Sequence, residues 1–342
     1  MAIKNLLVTG GTGYIGRAFL QALMAYSKAQ PQAELRVKVL VAPDSFSHWR
    51  ARWPAWIIPV EGRLPDVPND FGFESPNVLV HLGVKQIDTD DTGFDQVNVK
   101  GTRTLLARLK HCRGVIYASS LSVLGQGSQI NATEGAAVLP VTALAKSRAA
   151  AEQLILDWGE KQLAWALCLR PRFVLGAEDQ FVLPGLYRLW CQKRRIGEGE
   201  QQFSVISCQD YGQVMLQLID LMFSERAPQQ LPLHLGYKEP ISFFAIYNLL
   251  HLFAEGRRLN SAEFNMFRRI PVNETLLGLM HWIPLSMLEK KVTQLELVGL
   301  DHFSDVTRLE GLIGNNITAR PTREVVEQII ADWWPQRPEA SV

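Results

Sequence analysis

An early glycine-rich turn constrains the fold of this 342-residue chain more than any other feature. The apolar run 6–8, Leu-Leu-Val, leads into residues 9–16, which read TGGTGYIG, and an amphipathic stretch follows. This order predicts a β-strand, a tight turn and a helix. Gly10 permits the turn, Gly13 lets the backbone approach a phosphate, and Gly16 lets helix and strand pack closely. Free N–H groups at the helix start attract an anion, so the turn predicts a site for a dinucleotide pyrophosphate.

The balance of charge makes a polyanionic partner such as nucleic acid unexpected. Lys and Arg number 35 and Asp and Glu 34, which gives a net charge of +1. The basic triplet at 193–195 is therefore interpreted as a solvated surface segment. The hydrophobic content of 47% is ordinary for a globular protein, and the length suits two domains or one elaborated domain.

The cysteines favour a reducing compartment. The four of them form no Cys-x-x-Cys pair and have no histidine cluster beside them, so we expect reduced thiols and no metal site. A strand that begins near Ile3 leaves no room for a signal peptide. The most apolar window, residues 276–288, is too short to span a bilayer. The chain is therefore expected to be cytoplasmic, without a transmembrane segment.

Short apolar runs alternate with helical patterns through the first half of the chain. The runs lack strict alternation, as strands buried on both faces do. After the first strand, they are predicted at residues 35–42, 56–60, 77–83, 114–119 and 164–170. Helices are predicted at residues 14–27, 94–111 and 144–161. This order predicts an α/β fold, a Rossmann-type doubly wound parallel sheet with right-handed crossovers.

The pattern changes after residue 171. Pro and Gly punctuate loops there, and the remainder reads as mainly helical and rich in large apolar residues. We therefore expect residues 1–176 to form the dinucleotide-binding domain and residues 177–342 to form a smaller, mainly helical substrate-binding region. One return to the sheet is expected near residues 203–207, in a segment 203–220 that belongs to the first domain.

Several separated motifs resemble those of one known family. Beyond the turn, they are VHLG at 80–83, VNVKGT at 97–102, YASSLSVLG at 117–125 and LRPRFVLG at 169–176. Together they resemble the extended short-chain dehydrogenase/reductases, and among these the NAD-dependent epimerase/dehydratase and 3β-hydroxysteroid-dehydrogenase-like group. The resemblance spans about residues 3–220. It implies a Rossmann fold and an NAD(P)-binding enzyme with a small-molecule substrate.

The resemblance also implies which residues contact the cofactor. In the family, the residue at Tyr14 packs over the cofactor, and His81 ends a strand on the side of the sheet where ligands bind. The implied cofactor-binding residues are Gly10, Gly13, Tyr14, Ile15, Gly16, Arg63, His81, Leu82, Gly83, Asn98, Ser119, Arg148 and Pro171.

The catalytic set that the resemblance implies is incomplete. The family passes a proton through a Tyr whose pKa is lowered by a Lys four residues later, and a Ser hydrogen-bonds the reacting oxygen. The family's YxxSKaaaE aligns with residues 144–152, which places Leu144 at the Tyr position and Arg148 at the Lys position. Ser120 keeps the Ser position. Asp210 is a further catalytic candidate, although the family more often gives that Asp a structural role. Leucine carries no proton and arginine stays charged, so the usual acid–base pair is lost.

The residues near the adenosine end of the cofactor slightly favour NADP over NAD. Arg63 stands where the family often has an Asp near adenine, and an arginine can stack on the base instead. Ala42 ends the second strand, where an acidic residue would select NAD, although Asp44 follows closely. Basic residues come next, at His48, Arg50 and Arg52.

Three functions remain open from the sequence. The first, which family frequency favours, is an atypical NAD(P)-dependent oxidoreductase or epimerase-type enzyme acting on an apolar small molecule. The second is a non-redox cyclase, lyase or isomerase that reuses the cleft. The third is a catalytically inactive dinucleotide-binding sensor or assembly protein. The resemblance also implies that Arg172 and residues 180–184 line the substrate pocket, because they lie where family members line it. The helices at 94–111 and 144–161 are those through which family members pair as homodimers.

Overall fold

A computed structural model describes residues 4–49, 53–74, 77–88, 92–224, 226–273, 277 and 286–338. Its strands are β1 (Lys4–Thr9), β2 (Leu35–Val41), β3 (Ile57–Glu61), β4 (Asn77–His81), β5 (Cys112–Ala118), β6 (Gln129–Ala132), β7 (Trp165–Pro171), β8 (Phe173–Leu175), β9 (Arg194–Ile196), β10 (Gln202–Phe203), β11 (Val205–Ser207), β12 (Gln230–Leu235), β13 (Ile241–Ser242), β14 (Arg268–Ile270) and β15 (His302–Ser304).

Its α-helices are α1 (Tyr14–Ala29), α2 (Pro43–Trp49), α3 (Thr92–Phe94), α4 (Gly101–Arg108), α5 (Ala143–Gln162), α6 (Val182–Cys191), α7 (Cys208–Met222), α8 (Phe243–Glu255), α9 (Ser261–Met266), α10 (Ser286–Gly299), α11 (Thr307–Ile313) and α12 (Thr322–Trp333). A π-helix, Asp95–Lys100, joins α3 to α4, and 3₁₀ turns occupy Leu121–Leu124 and Trp334–Gln336.

Seven parallel strands form the central sheet, in the order β12-β7-β5-β4-β1-β2-β3. Val8 in β1 lies between Val39 in β2 and Val80 in β4, and all three side chains are fully buried. Such runs of Val and Leu suit strands that are covered on both faces. The predicted doubly wound parallel sheet is confirmed.

Helices cover both faces of this sheet. On one face α1 and α7 pack together over a core that includes Leu6 and Phe19. On the other face α4 and α5 cover a core that includes Leu7, Leu105 and Ile155. Neighbouring residues of β1 thus belong to different cores, because successive strand residues point to opposite faces.

The direction of the crossovers reverses between β1 and β4. From β1 the chain continues to β2 and β3 on one side, and from β4 it continues to β5 and β7 on the other. In such sheets, ligands bind in the crevice outside the carboxyl ends of the strands at this point. Thr9 and His81 end these two strands and lie side by side in register.

The second half of the chain is mainly helical, as predicted. Helices α6 and α12 both pack against α8, and their buried residues, such as Tyr187, Tyr247 and Trp333, continue the core beneath α1. Three smaller sheets accompany them, with the orders β13-β10-β15-β6, β11-β8 and β14-β9. The domain boundary at residue 176 stays a prediction.

The predicted return to the central sheet near residues 203–207 is wrong. β10 pairs with β13 and β15, and β11 pairs with β8, all outside the central sheet. The seventh strand is β12, which pairs with β7 from Gln230 to Leu235. This run contains Pro232. Because a proline cannot donate a backbone hydrogen bond, the sequence of this run does not predict a strand. The edge position of β12 tolerates it.

Candidate active site

The turn after β1 needs two of its glycines for its own packing. Gly10 has a left-handed backbone with φ of +71°, and a Cβ there would lie 2.5 Å from the carbonyl carbon of Leu82. A Cβ on Gly16 would lie 2.1 Å from the carbonyl oxygen of Gly10. The fold itself therefore excludes side chains at both positions.

Gly13 differs because the described part of the chain leaves space at this residue. A Cβ there would meet a single atom within 4 Å, the Gly10 carbonyl oxygen at 3.2 Å. Gly13 is exposed and has an ordinary extended backbone, and it caps α1 without a side chain. The N–H groups at the start of α1 are therefore open to a ligand. Because Gly13 has no side chain, there is space for a pyrophosphate to approach these donors closely. The turn therefore fits a dinucleotide cofactor.

The loop after β8 closes against this turn. The Tyr14 hydroxyl lies close to Gly176, because a Cβ on Gly176 would be 2.5 Å from it. Arg17, one turn further along α1, forms an ion pair with Glu178. Ile15 lies between these residues at the start of α1 and is half-buried. The predicted cofactor contacts of Tyr14 and Ile15 therefore fall where the two halves of the chain meet.

A continuous set of hydrogen bonds fixes His81 in its neutral form. Its Nε2–H donates to Thr102 Oγ1 at 2.9 Å, and Thr9 Oγ1 donates to its Nδ1 at 2.7 Å. These directions follow because the Thr102 hydroxyl donates to the Asn98 carbonyl oxygen at 2.6 Å and can only accept from His81. Burial lowers the pKa of His81 to about 3. His81 thus joins β1, β4 and α4, which favours a structural role.

Asn98 lies in the π-helix and holds three segments together. Its Oδ1 accepts from the Lys85 N–H at 2.8 Å, and its Nδ2 donates to the Lys85 carbonyl at 3.2 Å and to Ser147 Oγ at 2.9 Å. A π-helical turn often marks a functional site. Asn98 therefore positions the segment after β4 and the helix α5, and its direct cofactor contact stays a prediction.

The remaining predicted contacts lie at the same edge of the sheet. Leu82 and Gly83 follow β4, and the Gly83 N–H donates to Thr9 Oγ1 at 3.0 Å. Pro171 ends β7 and is buried. The structure thus brings these predicted residues to the strand ends around the glycine turn, where the sheet is expected to bind a ligand.

Ser119 and Ser120 follow β5 at this edge. The Ser119 hydroxyl is buried and has no hydrogen-bond partner among the described residues. Ser120 is half-buried, and its Oγ accepts from the Ser122 N–H at 3.2 Å. Because this contact uses a lone pair, the Ser120 hydroxyl proton remains able to donate to an oxygen in the cleft.

Arg148 is a buried cation that forms no ion pair with the described residues. It is 9% exposed, and its Nε lacks a hydrogen-bond partner there. Burial lowers the pKa of Arg148, whereas Tyr117, Tyr211 and Glu152 raise it. The nearby Glu152 is paired with Arg170 instead, whose guanidinium binds both of its carboxylate oxygens, at 2.9 and 2.5 Å. Burying an isolated charge costs several kcal/mol. A ligand that contacts this guanidinium would offset that cost, so the position is suited to binding one.

Leu144 lies one helical turn before Arg148, on the same side of α5. The Thr142 hydroxyl caps this helix by accepting from the Ala145 N–H at 3.2 Å. Leu144 is half-buried, whereas Lys146 is exposed on the outer side of the helix. Arg148, rather than Lys146, is therefore the cation that α5 turns inwards, as the alignment of residues 144–152 predicts.

Two buried tyrosines near Arg148 were missed by sequence reasoning. Neither hydroxyl of Tyr117 or Tyr211 has a hydrogen-bond partner in the part of the chain that the structure describes. Burial raises the pKa of both tyrosines, and Arg148 lowers it. Tyr117 belongs to the core beneath α5 and Tyr211 to the core beneath α7, so Arg148 lies where the two layers meet. Neither tyrosine stands at the family's catalytic spacing, and so no motif points to them.

Asp210 is engaged by the protein itself. Its carboxylate accepts from the Tyr237 hydroxyl and forms an ion pair with Arg320 at 2.5 Å. Its N–H donates to Ser207 Oγ at 2.9 Å, which caps α7. These contacts tie α7 to the segments after β12 and before α12, and they favour a structural role over catalysis.

Arg63 and Asp44 form an exposed ion pair at the adenosine end of the predicted site, with an N–O distance of 2.9 Å. Asp44 lies in the first turn of α2, just beyond β2. The negative charge of Asp44 is thus partly balanced, and Ala42 supplies no acid at the strand end. The side chain of His48 and the residues Arg50 and Arg52 lie outside the described residues.

The segment predicted to line the substrate pocket is held in place by Asp179. Its carboxylate accepts from the N–H groups of Phe181, Val182 and Leu183, at 2.8, 3.1 and 2.8 Å. Burial lowers the pKa of Arg172 to about 9, and Glu296 opposes this shift. A cavity of about 740 Å³ lies elsewhere and contains none of the predicted site residues. Its walls are Glu198, Gly199, Glu200, Gln202, Ser242, Phe244, Ser261, Phe264 and Asn265.

The described residues contain neither a metal-binding cluster nor a membrane-spanning helix. No group of three or more His, Cys, Asp or Glu side chains there could hold a metal ion. No helix among these residues has both the length and the apolar character needed to cross a membrane.

Comparison with known sequences gives one family and several relatives. A model of the 3-beta hydroxysteroid dehydrogenase/isomerase family matches residues 7–210. The sterol-4-alpha-carboxylate 3-dehydrogenase, decarboxylating, of Candida albicans is 26% identical over 214 residues, which cover 59% of this chain and 60% of that protein. A 4-hydroxy-2-methyl-3-oxo-4-farnesyl-3,4-dihydroquinoline-1-oxide ketoreductase of Stigmatella aurantiaca is 30% identical over 186 residues, which cover 52% and 53%. The match therefore spans little more than half of each relative.

Solved structures share the whole fold at low sequence identity. The UDP-glucuronic acid 4-epimerase from Bacillus cereus, in complex with NAD, has a TM-score of 0.70 and 14% identity, and the match covers 97% of this chain and 99% of that one. The UDP-glucose-4-epimerase from Stenotrophomonas maltophila, with bound NAD, has a TM-score of 0.70 and 16% identity, and the match covers 97% of each chain. At this identity the likeness shows the fold alone.

Proposed function

Because this chain belongs to the 3-beta hydroxysteroid dehydrogenase/isomerase family, we propose that it is an NAD(P)-dependent oxidoreductase with an atypical active site. The buried guanidinium of Arg148, which forms no ion pair with the residues that the structure describes, carries the proposal. It lies one turn from Leu144, where two layers of the fold meet. A site that had lost its ligand-binding role would gain stability by replacing such a charge with an apolar residue. The presence of Arg148 therefore supports a cleft that binds substrate and cofactor.

The glycine turn and the adenosine-end residues are proposed to hold the cofactor. Its pyrophosphate would lie beside Gly13 and the N–H groups at the start of α1. Arg63, together with the lack of an acid at Ala42, supports NADP over NAD, since a 2′-phosphate favours a nearby arginine. When bound, the nicotinamide supplies hydride transfer.

Ser120 and Arg148 are proposed to act on the reacting oxygen in different ways. The Ser120 hydroxyl would donate a hydrogen bond to it, and Arg148 would stabilise the negative charge that develops on it during reduction. Arginine does not release its proton, so the proton would come from solvent, relayed through Ser120. Leu144 would supply only apolar surface. We expect turnover about 10²–10⁴-fold below that of an enzyme with a positioned proton donor.

The substrate is proposed to be an apolar ring compound that carries a hydroxyl or keto group. The names of the relatives describe a sterol carboxylate dehydrogenase and a ketoreductase of a farnesylated quinoline. Because each match covers little more than half of the relative, their particular substrates are not carried over. Both compounds have an extended apolar part next to a carbon atom whose oxidation state changes.

A cytoplasmic location and a homodimer complete the proposal. The described cysteines are free, as expected in a reducing compartment. The outer sides of α4 and α5 are the surfaces through which a second copy would pair. Light scattering of the purified protein tests the homodimer, and we expect a mass of two chains.

Turnover with a panel of apolar ketones and alcohols tests the redox function. Absorbance of the reduced nicotinamide is followed with NADPH and NADH on ketosteroids, quinolones and the matching alcohols. We expect Ser120→Ala and Arg148→Met to lower kcat at least tenfold, since each removes a group that stabilises the developing charge. Lys146→Met, on the exposed side of the same helix, is the control and should leave kcat unchanged. The double variant Leu144→Tyr/Arg148→Lys should raise kcat by about 10²-fold.

The same assay separates the alternatives. A thermal shift with dinucleotide but no nicotinamide oxidation with any substrate would favour a sensor. Product formation without a nicotinamide change would favour a non-redox enzyme. Calorimetric titrations with NADP and NAD test the cofactor preference, and Arg63→Ala should weaken NADP more than NAD.

A further inference from the structure

A cavity of about 740 Å³ lies outside the candidate active site. Three segments form its walls: residues 198–202, which join β9 to β10, the start of α8, and the helix α9. None of the wall residues belongs to the predicted site or to the family motifs. The volume is typical of a small-molecule site, so the cavity is a candidate for a second ligand.

Internal contacts hold the walls of this cavity in place. Gly199 has a left-handed backbone with φ of +91°, and its carbonyl accepts from the Phe244 N–H at 2.8 Å. The buried side chain of Gln201 accepts from the Gly199 N–H at 3.1 Å. Asn260 and Glu263 form a capping box at the start of α9. The cavity is therefore formed before a ligand arrives, which lowers the cost of binding.

The charged side chains of the walls are carboxylates. They belong to Glu198 and Glu200, and Lys, Arg and His are absent from the described walls. Glu198 is compensated, because guanidinium nitrogens of Arg195 and Arg269 lie 3.0 and 2.6 Å from its carboxylate oxygens. Glu200 is exposed and forms no ion pair with the described residues. Glu200 thus gives the cavity one carboxylate that a ligand can reach.

Two phenylalanine rings form the apolar part of the walls. Phe244 is half-buried and Phe264 is buried, and their ring centres are 5.0 Å apart in an edge-to-face arrangement. The Arg195 guanidinium lies 5.2 Å from the Phe264 ring centre, so this ring already contacts one cation. The face of an aromatic ring attracts a cation, and Phe244 is the more accessible of the two rings.

The cavity is unsuited to an anion. The first three N–H groups of α8 donate within the walls, to the carbonyls of Gln201 and Gly199 and to the Ser242 hydroxyl, at 3.0, 2.8 and 3.1 Å. Their partial positive charge is therefore not available to a ligand. The side chains of Gln202 and Asn265 also line the cavity and carry carbonyl oxygens that accept from N–H donors. A carboxylate, an aromatic face and neutral oxygen acceptors together match an ammonium group on a carbon skeleton.

We propose that this cavity binds a small organic ammonium ion. Glu200 would be its counter-ion, and Phe244 would pack against its carbon skeleton. An exposed ion pair and an exposed cation–π contact each change affinity by up to about fivefold. Binding of this kind is reversible and sensitive to salt. The proposal goes beyond the oxidoreductase function and does not depend on it.

Calorimetric titration of the full chain with two probes of similar size tests the proposal. 2-Phenylethylamine is a cation at neutral pH, and 2-phenylethanol is its neutral counterpart. We expect the amine to bind about fivefold more tightly than the alcohol. High salt should weaken the binding of the amine but not that of the alcohol. Saturating NADPH should leave the affinity for the amine unchanged, because the cavity lies outside the candidate active site.

Variants of the wall residues assign the binding to this cavity. Glu200→Gln should weaken the binding of the amine by about fivefold and leave that of the alcohol unchanged, whereas Glu200→Asp should retain most of it. Phe244→Leu should weaken the binding of the amine by a similar factor. The control is Glu160→Gln, which removes an exposed acid from α5 and should bind as the parent chain does. Circular dichroism and thermal melts confirm that each variant is folded.

Several results would overturn the proposal. They are equal affinities for the amine and the alcohol, equal binding of the amine by Glu200→Gln and the parent chain, an equal loss in Glu160→Gln, or no binding of the amine. Tighter binding of a neutral polyol such as sorbitol would assign the cavity to another class of ligand and overturn it as well.

Discussion

At the scale of single residues, the turn after β1 separates glycines that the fold requires from one that it does not. Gly16 has no room for a Cβ, which would lie 2.1 Å from a backbone oxygen. Gly13 has room, an allowed backbone and an exposed position. A glycine that internal packing does not explain is best explained by what approaches it from outside.

Alanine substitutions at these two glycines should therefore change different properties: dinucleotide binding at Gly13 and folding stability at Gly16. Gly13→Ala should change the free energy of unfolding by less than about 1 kcal/mol, because φ is compatible with alanine. It should weaken dinucleotide binding at least tenfold and abolish the thermal shift that dinucleotide gives. Gly16→Ala should destabilise by about 3 kcal/mol or more, because backbone atoms must move. Urea unfolding and calorimetric titration measure the two effects, and unchanged binding in Gly13→Ala would contradict the cofactor site.

At the scale of elements, α5 combines the proposed binding residue Arg148 with a structural anchor. One turn after Arg148, Glu152 forms a buried bidentate pair with Arg170 of β7. Both partners of this pair are about 3% exposed. The pair fixes how far α5 stands from the sheet, and thereby where Leu144 and Arg148 lie relative to the strand ends.

Breaking this pair should be costly. Glu152→Gln would leave Arg170 as an uncompensated buried charge, which typically costs about 3–5 kcal/mol of unfolding free energy. Gln153→Ala, at the next position on the exposed side of α5, is the control and should cost less than about 0.5 kcal/mol. Urea denaturation followed by circular dichroism measures both. Similar losses in the two variants would show that the pair does not anchor the helix.

At the scale of the whole molecule, buried neutral histidines connect distant parts of the chain. Burial lowers the pKa of His81 to about 3, that of His302 to about 2, and also that of His234. His234 joins β12 to the segment after β6, because its N–H donates to Glu134 and its ring contacts the Ala132 carbonyl at 3.0 Å. Protonation of these rings would therefore oppose folding in several places at once.

The pH dependence of stability should reveal these histidines. A folded-state pKa below the unfolded value of about 6.5 gives stability that is fully present above pH 6.5. For His81, that stability is lost as the pH falls from 6.5 towards 3, by about 1.4 kcal/mol per pH unit. His81→Gln should thus be less stable than the parent at pH 7 but show a shallower loss in acid. Urea midpoints between pH 5 and pH 7.5 test this, and parallel curves for the two proteins would contradict it.

Local pattern was sufficient to predict most of the central sheet. Buried strands, crossover helices and the glycine turn each depend on residues that are neighbours in sequence. The motifs located His81 and Ser120 at strand ends and Asn98 and Arg148 on helices. The edge strand β12 was missed, because a proline hides a strand whose position depends on pairing with β7. The surroundings of Arg148 could not be predicted from the sequence either. Its burial and its closeness to Tyr117 and Tyr211 depend on how separate elements pack together.

By itself, the sequence determined that this chain builds a doubly wound parallel sheet with a glycine turn after its first strand, and that its helix α5 lacks the tyrosine and lysine of its family. Both are properties of residue order and spacing. Only the tertiary structure decided that Arg148 is buried with no counter-ion among the described residues, that Asp210 contacts Tyr237 and Arg320, and that β9 pairs with β14. Burial and charge compensation depend on which distant segments the fold packs together, and no local pattern encodes them.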